Sequence, residues 1–175
     1  MITIISPATT MNFDKDSNLE NSSNPVFKED VNYLISILKE LNIKEISNLM
    51  NLSEDLSKLN YDRYQNLLDS NNKKLQSILA FDGEVFNSMN TSDFNEYDFN
   101  FANDHLRILS GLYGILSPLD LIEPYRLEMK AKKKKKNGKD LYKFWKNKIT
   151  DYIIKELETH ESKVLLNLAS SEYLK

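Results

Sequence analysis

The sequence contains no cysteine, which removes disulfide frameworks and thiolate metal sites from consideration and is compatible with a reducing compartment. It has two histidines. His105 and His160 lie far apart in sequence, and neither sits in a metal-ligating His/Asp/Glu spacing. No apolar run approaches the ~20 residues that span a bilayer. The start, Met1-Ile2-Thr3-Ile4-Ile5-Ser6-Pro7, lacks a basic region, and its apolar run is too short for a signal peptide. Glycine and proline number four each, and no Walker loop, dinucleotide-binding glycine fingerprint or Gly-x-Ser-x-Gly elbow occurs. No internal repeat is visible. These absences lead us to expect a cytoplasmic protein with no membrane segment, no metal and no cofactor.

What is present describes one folded domain over residues 1–175. A hydrophobic fraction of 41% with 28% charged residues is ordinary for a globular chain with a real core. Met1 to Ser6 reads as a short buried strand, and Pro7 to Asn24 as a polar loop. Val31, Leu34, Ile35, Leu38 and Leu41 recur at helical spacing behind Glu29 and Asp30. Ile43 to Met50 suggests a second helix. Ser53 caps a third, with Leu56, Leu59, Tyr64 and Leu67 as its expected inner face. Leu75 to Met89 reads as a helix broken at Gly83, and Ser92 to His105 as helical toward its end. Leu106 to Leu109 fits either a buried strand or a helix end. Leu141, Phe144, Trp145, Ile149, Tyr152, Ile153 and Leu157 fall on one helical face. Lys163 to Ala169 reads as a buried strand with Ser170-Ser171-Glu172 at its exit. The expected class is therefore mixed α/β, a central sheet with surrounding helices. A sheet protein rarely stops just after a strand, so the chain is expected to be part of something longer.

Two of the four glycines fall three residues apart in Ser110-Gly111-Leu112-Tyr113-Gly114. Such a pair implies a backbone task, either a tight hairpin or a close approach. Ser117-Pro118-Leu119-Asp120 then carries helix-start chemistry: an N-cap, a first-turn proline and a capping-box carboxylate. A glycine hairpin running into a helix N-terminus suits a phosphate. On spacing alone, a buried segment turning into a short surface helix is the better reading.

Charge is unevenly spread. Arg126 to Lys148 holds eleven basic residues (Arg126, Lys130, Lys132 to Lys136, Lys139, Lys143, Lys146, Lys148) against Glu128 and Asp140, a local +9. The other 12 basic and 24 acidic side chains sum to −12. A basic patch on an acidic protein points to a polyanion partner, although many lysine runs are only solvated loops. Separately, sites in open α/β sheets form outside the carboxyl ends of strands. Ser6-Pro7 after the first strand and Ser170 to Glu172 after the last can therefore meet at one site, or they are two ordinary strand-to-loop exits. Tyr125-Arg126-Leu127-Glu128 offers an anion clamp and a base or arginine partner, or simply an Arg–Glu pair tying down a loop.

Several segments together resemble the YaaA family of peroxide-stress proteins: Ile4 to Met11, Ile46 to Met50, Ile78 to Val85, His105 to Gly114, Pro118 to Met129, Gly138 to Trp145 and Asn167 to Tyr173. The resemblance covers essentially the whole chain and is most specific between His105 and Met129. It implies a mixed α/β fold peculiar to the family, a DNA-binding surface with a helix-hairpin-helix element, and a role in limiting iron-linked oxidative damage. The hairpin would fall at Gly111-Leu112-Tyr113-Gly114. Two positions depart from the family pattern. Thr9 stands where the pattern has lysine, and Lys130 follows Arg-Leu-Glu-Met where it has glycine.

Two functions follow as expectations. In the first, the protein binds DNA without strong sequence specificity through Arg107, Gly111, Leu112, Tyr113, Gly114, Arg126, Lys139 and Lys143. In the second, it is an enzyme acting on a nucleotide or other small anionic substrate. Its candidate groups are Ser6, Thr10, Arg126, Glu128, Ser170 and Glu172, with Tyr125 and Tyr173 beside them.

Overall fold

A computed structural model describes residues 1–15, 19–131 and 140–173. In chain order these form β1 (Ile2–Ile5), β2 (Thr10–Met11), α1 (Lys28–Lys39), α2 (Ile43–Met50), α3 (Glu54–Asn66), β3 (Leu75–Gln76), α4 (Ser77–Ala80), β4 (Phe81–Asp82) and α5 (Glu84–Ser88). After a 3-10 turn at Thr91–Asp93 come α6 (Glu96–His105), β5 (Leu106–Ser110), β6 (Gly114–Leu116), β7 (Leu121–Ile122), α7 (Leu141–Thr159) and β8 (Leu165–Asn167).

The isoleucine-rich β1 lies inside a four-stranded sheet of order β6-β5-β1-β8. It pairs in parallel with β5 and with β8, while β5 and β6 form an antiparallel hairpin. Strand alternation splits the core. Ile2, Ile4, Leu109 and Ile115 pack with Ile153 of α7, whereas Ile5, Ile108 and Leu116 join the larger cluster of Ile35, Tyr64 and Trp145. The fold is mixed α/β with helices around a central sheet, as composition and periodicity indicate. The outer strand β8 differs from expectation. Leu165 and Leu166 are 39% and 42% exposed, because among the described residues β8 pairs only with β1.

The first three helices follow their sequence signals. α1 buries Val31, Leu34, Ile35 and Leu38. Asn42 and Glu45 close a reciprocal capping box on α2, and Ser53 caps α3. The inner face of α3 is the expected one at Tyr64 and Leu67 but not at Leu56 and Leu59. Ser57, Asn60, Tyr64 and Leu67 are fully buried, while Leu56 and Leu59 are 40% and 43% exposed. The two polar residues can turn inward because they bond within their own helix. Ser57 Oγ donates to Ser53 O at 2.7 Å, and Asn60 Nδ2 to Leu56 O at 2.7 Å.

Two turn readings need correction. Gly111 to Gly114 links two strands rather than two helices, so the element is a β-hairpin, not a helix-hairpin-helix. The flanking residues 107–110 and 115–116 are buried, and the ladder satisfies their backbone. Ser117 to Asp120 does make the capping contact, since Asp120 Oδ2 accepts from Ser117 N at 2.8 Å. No helix follows. Leu121 and Ile122 pair with Gln76 and Leu75 instead, and Pro124 stands two residues beyond. The segment expected as one broken helix, Leu75 to Met89, is divided further because Phe81 and Asp82 pair with Met11 and Thr10.

Candidate functional site

Because β1 and β8 are parallel neighbours, their carboxyl ends open on the same side. Ser6 leaves β1 and Ser170 follows β8 there. Ser6 Oγ donates to Ser170 Oγ at 3.1 Å, and Ser170 N donates back to Ser6 Oγ at 2.8 Å. A cavity of about 140 Å³ lies beside this pair, with Thr9, Arg126, Glu128, Glu172 and Tyr173 on its walls. Of the two readings of the first and last strand exits, the one in which they meet is the one observed.

The wall carrying Arg126 and Glu128 is fixed from behind. Tyr64 is fully buried, and its hydroxyl donates to Arg126 O. Tyr125 Oη lies 2.6 Å from Ser110 Oγ. Gly111 backs the segment so closely that a Cβ there would sit 2.2 Å from Leu127 O. Gly111 thus does have a backbone task, but its close neighbour is a protein backbone rather than a phosphate.

Four charged groups form a continuous chain along the cavity. Arg126 Nε and Nη2 donate to Glu128 Oε1 at 3.1 and 2.6 Å. Lys130 Nζ lies 3.1 Å from Glu128 Oε2 and 3.4 Å from Glu172 Oε2. Tyr142 Oη donates to Glu172 O at 2.6 Å and ties α7 to the same rim. Burial opposes ionisation of Glu128, but hydrogen bonds and charge from Arg126 and Lys130 outweigh it and hold the carboxyl below its ordinary 4.5. A depressed carboxyl contributes stability above its unfolded-state value and loses it as pH falls through the folded one. Glu128→Gln is accordingly expected to lower Tm at about pH 7 and to change it little at about pH 3, as read by calorimetry across that range.

The other candidates are distributed differently. Thr10 is absent from the cavity wall, whereas Thr9 and Met11 line it, as the two-residue period of an extended chain requires. Arg107 is 5% exposed. Its Nε and Nη2 donate to Glu156 Oε2, and its Nη1 donates to Asn103 O and Leu106 O at 2.6 and 2.7 Å. Gly111, Leu112, Tyr113 and Gly114 are all buried. Lys143 is exposed on α7. Lys139 and the run from Lys132 to Lys136 lie outside the described residues. Lys130 stands out in the sequence as part of the basic patch but not as part of this cavity's rim, and nothing in the spacing of Tyr142 marks it; both reach the rim through tertiary contacts. A larger open cleft of about 790 Å³ lies between Lys15, Asn21, Phe86 and Phe94, away from the charge chain. Among the described residues, no three His, Asp or Glu side chains converge as a metal cluster, and no helix is long and apolar enough to cross a membrane.

Sequence comparison with known proteins covers every segment described above. The chain is 44% identical over 173 residues to a UPF0246 protein of Crocosphaera subtropica, covering 99% of this chain and 68% of the relative. It is 45% identical over 177 residues to a UPF0246 protein of Saccharophagus degradans, covering all of this chain and 69% of that one. A UPF0246 protein of Burkholderia multivorans is 40% identical over 180 residues, again with 69% of its length covered. Residues 1–175 match the family described as peroxide stress protein YaaA, and the chain belongs to that family.

Proposed function

We propose that this peroxide-stress protein works in the cytoplasm through the cleft at the carboxyl ends of β1 and β8, as an enzyme acting on a small ligand that presents an anionic group to Arg126. The observation that carries this reading is the convergence of Ser6, Arg126, Glu128, Ser170 and Glu172, drawn from three separated segments, around one cavity. A scaffold does not require such a convergence at strand exits. The cavity volume of about 140 Å³ lies below the ~300–1,000 Å³ of pockets for drug-sized ligands. It therefore favours a small acid over a nucleotide. In this scheme Arg126 positions the ligand, and Glu128, kept ionised by its cationic neighbours, holds the Arg126 guanidinium in place. Arg126→Gln is expected to weaken binding of a small carboxylate such as propionate at least about tenfold, as measured by calorimetric titration. Unchanged affinity in a folded variant would remove the reading.

The charge asymmetry supports a second role, sequence-independent attraction to DNA that would limit iron-linked oxidative damage. Within the described part of the basic segment, Lys143 and Lys146 are exposed on α7 with no acidic partner among the described residues. Lys148 pairs with Asp30. Neutralising Lys143 and Lys146 is expected to reduce the slope of log affinity against log salt by roughly one to two, measured by fluorescence anisotropy. An unchanged slope would count against DNA contact by this helix.

A further inference from the structure

We infer that the ligand of this cleft is a small zwitterion, a short-chain α-amino acid, in which the carboxylate meets Arg126 and Ser170 and the ammonium meets Glu172. The inference rests on the preceding reading of the cleft and specifies its ligand.

Its basis is the set of polar atoms the protein leaves unspent. Arg126 commits Nε and Nη2 to Glu128, and its Nη1 has no hydrogen-bond partner among the described residues. Ser170 Oγ accepts from Ser6 Oγ, which leaves its own O–H to donate. Glu172 gives Oε2 to Lys130, and Oε1 has no hydrogen-bond partner among the described residues. Two kinds of donor and one carboxylate oxygen thus surround the same small space. A carboxylate can accept from the Nη1 protons and the serine hydroxyl. An ammonium on the adjacent carbon can donate to Glu172.

Net charge selects between ligand classes. Arg126 and Lys130 are balanced by Glu128 and Glu172 within one chain of ion pairs. A simple anion therefore finds an arginine already half neutralised, with a carboxylate near its other end. A simple amine finds an acid already shared with Lys130. Only a molecule carrying both charges pairs with both open groups and leaves the balance undisturbed. Size agrees. A volume of about 140 Å³ holds about five waters at roughly 30 Å³ each, the space of an amino acid with a side chain of one to three heavy atoms. Tyr173 and Phe81 on the wall supply apolar surface for such a side chain.

The test compares L-alanine, propionate and ethylamine by calorimetric titration on the full chain, with Glu172→Gln and Ser170→Ala as variants. Ser170 is exposed, so its loss leaves the core intact. L-Alanine is expected to bind at least tenfold more tightly than either single-charge analogue. Glu172→Gln should erase its advantage over propionate, and Ser170→Ala should weaken alanine and propionate together. If propionate equals alanine in the parent protein, the zwitterion inference falls and the anion reading stands. If none of the three probes binds, both fall.

Discussion

Gly111→Ala is expected to destabilise the protein by at least about 3 kcal/mol and to abolish ligand binding in whatever fraction remains folded. The new Cβ would stand 2.2 Å from Leu127 O and 2.9 Å from Leu127 C. These are backbone atoms and cannot swing aside as a flexible side chain would. Relief requires the β5–β6 turn to separate from residues 126–128, the wall that carries Arg126 and Glu128. A loss of this size corresponds to a fall in Tm of roughly 6–12 °C for a domain of this length. Scanning calorimetry reads the first effect, and propionate titration well below Tm reads the second. A variant that melts within a degree or two of the parent would show that this contact does not set the position of the wall.

Trp145→Ala carries the second large effect, expected at about 3–5 kcal/mol. Trp145 is 1% exposed, its ring centroid lies 4.8 Å from that of Phe144 and 5.5 Å from that of Phe27, and its Nε1 donates to Gly111 O at 3.0 Å. Truncation leaves a cavity and an unpaired buried carbonyl at the very glycine that supports the site wall. The same ring also presses on Gly114, whose φ is +75° and whose Cβ, if present, would lie 2.7 Å from Trp145 Cε3. The tryptophan and the two glycines are therefore one packing unit. Trp145→Phe is expected to recover part of the loss by filling the cavity, but not the hydrogen bond. Denaturant unfolding of the three proteins separates these contributions: equal midpoints for the alanine and phenylalanine variants would mean that cavity volume matters little here.

The sequence made some of this arrangement readable and hid the rest for identifiable reasons. Strand β1 and helices α1, α2 and α7 carry apolar periodicity that matches what they bury. The meeting of Ser6 with Ser170 was one of two readings open in the sequence, and the parallel pairing of β1 with β8 decides for it. The purpose of the glycine pair was half legible. Scarce glycines implied a tight turn or close approach, yet the approaching partner, Leu127, comes from a later segment that local pattern cannot place. The α3 face was hidden because Ser57 and Asn60 look polar while bonding internally. The helix start at Ser117 carried correct capping chemistry but was overruled by pairing of β7 with β3. Arg107 looks like a phosphate contact in sequence, and only the position of Glu156 on α7 shows where its charge goes. The role of Lys130 likewise depends on Glu172, forty-two positions away in the chain.

The most direct test of the central claim is a two-dimensional amide NMR titration of the folded protein with propionate and then with L-alanine. The account predicts saturable shifts concentrated at Ser6, Arg126, Glu128, Ser170 and Glu172, and their loss in Arg126→Gln. Shifts confined to α7 around Lys143 and Lys146, or none that saturate, would contradict it.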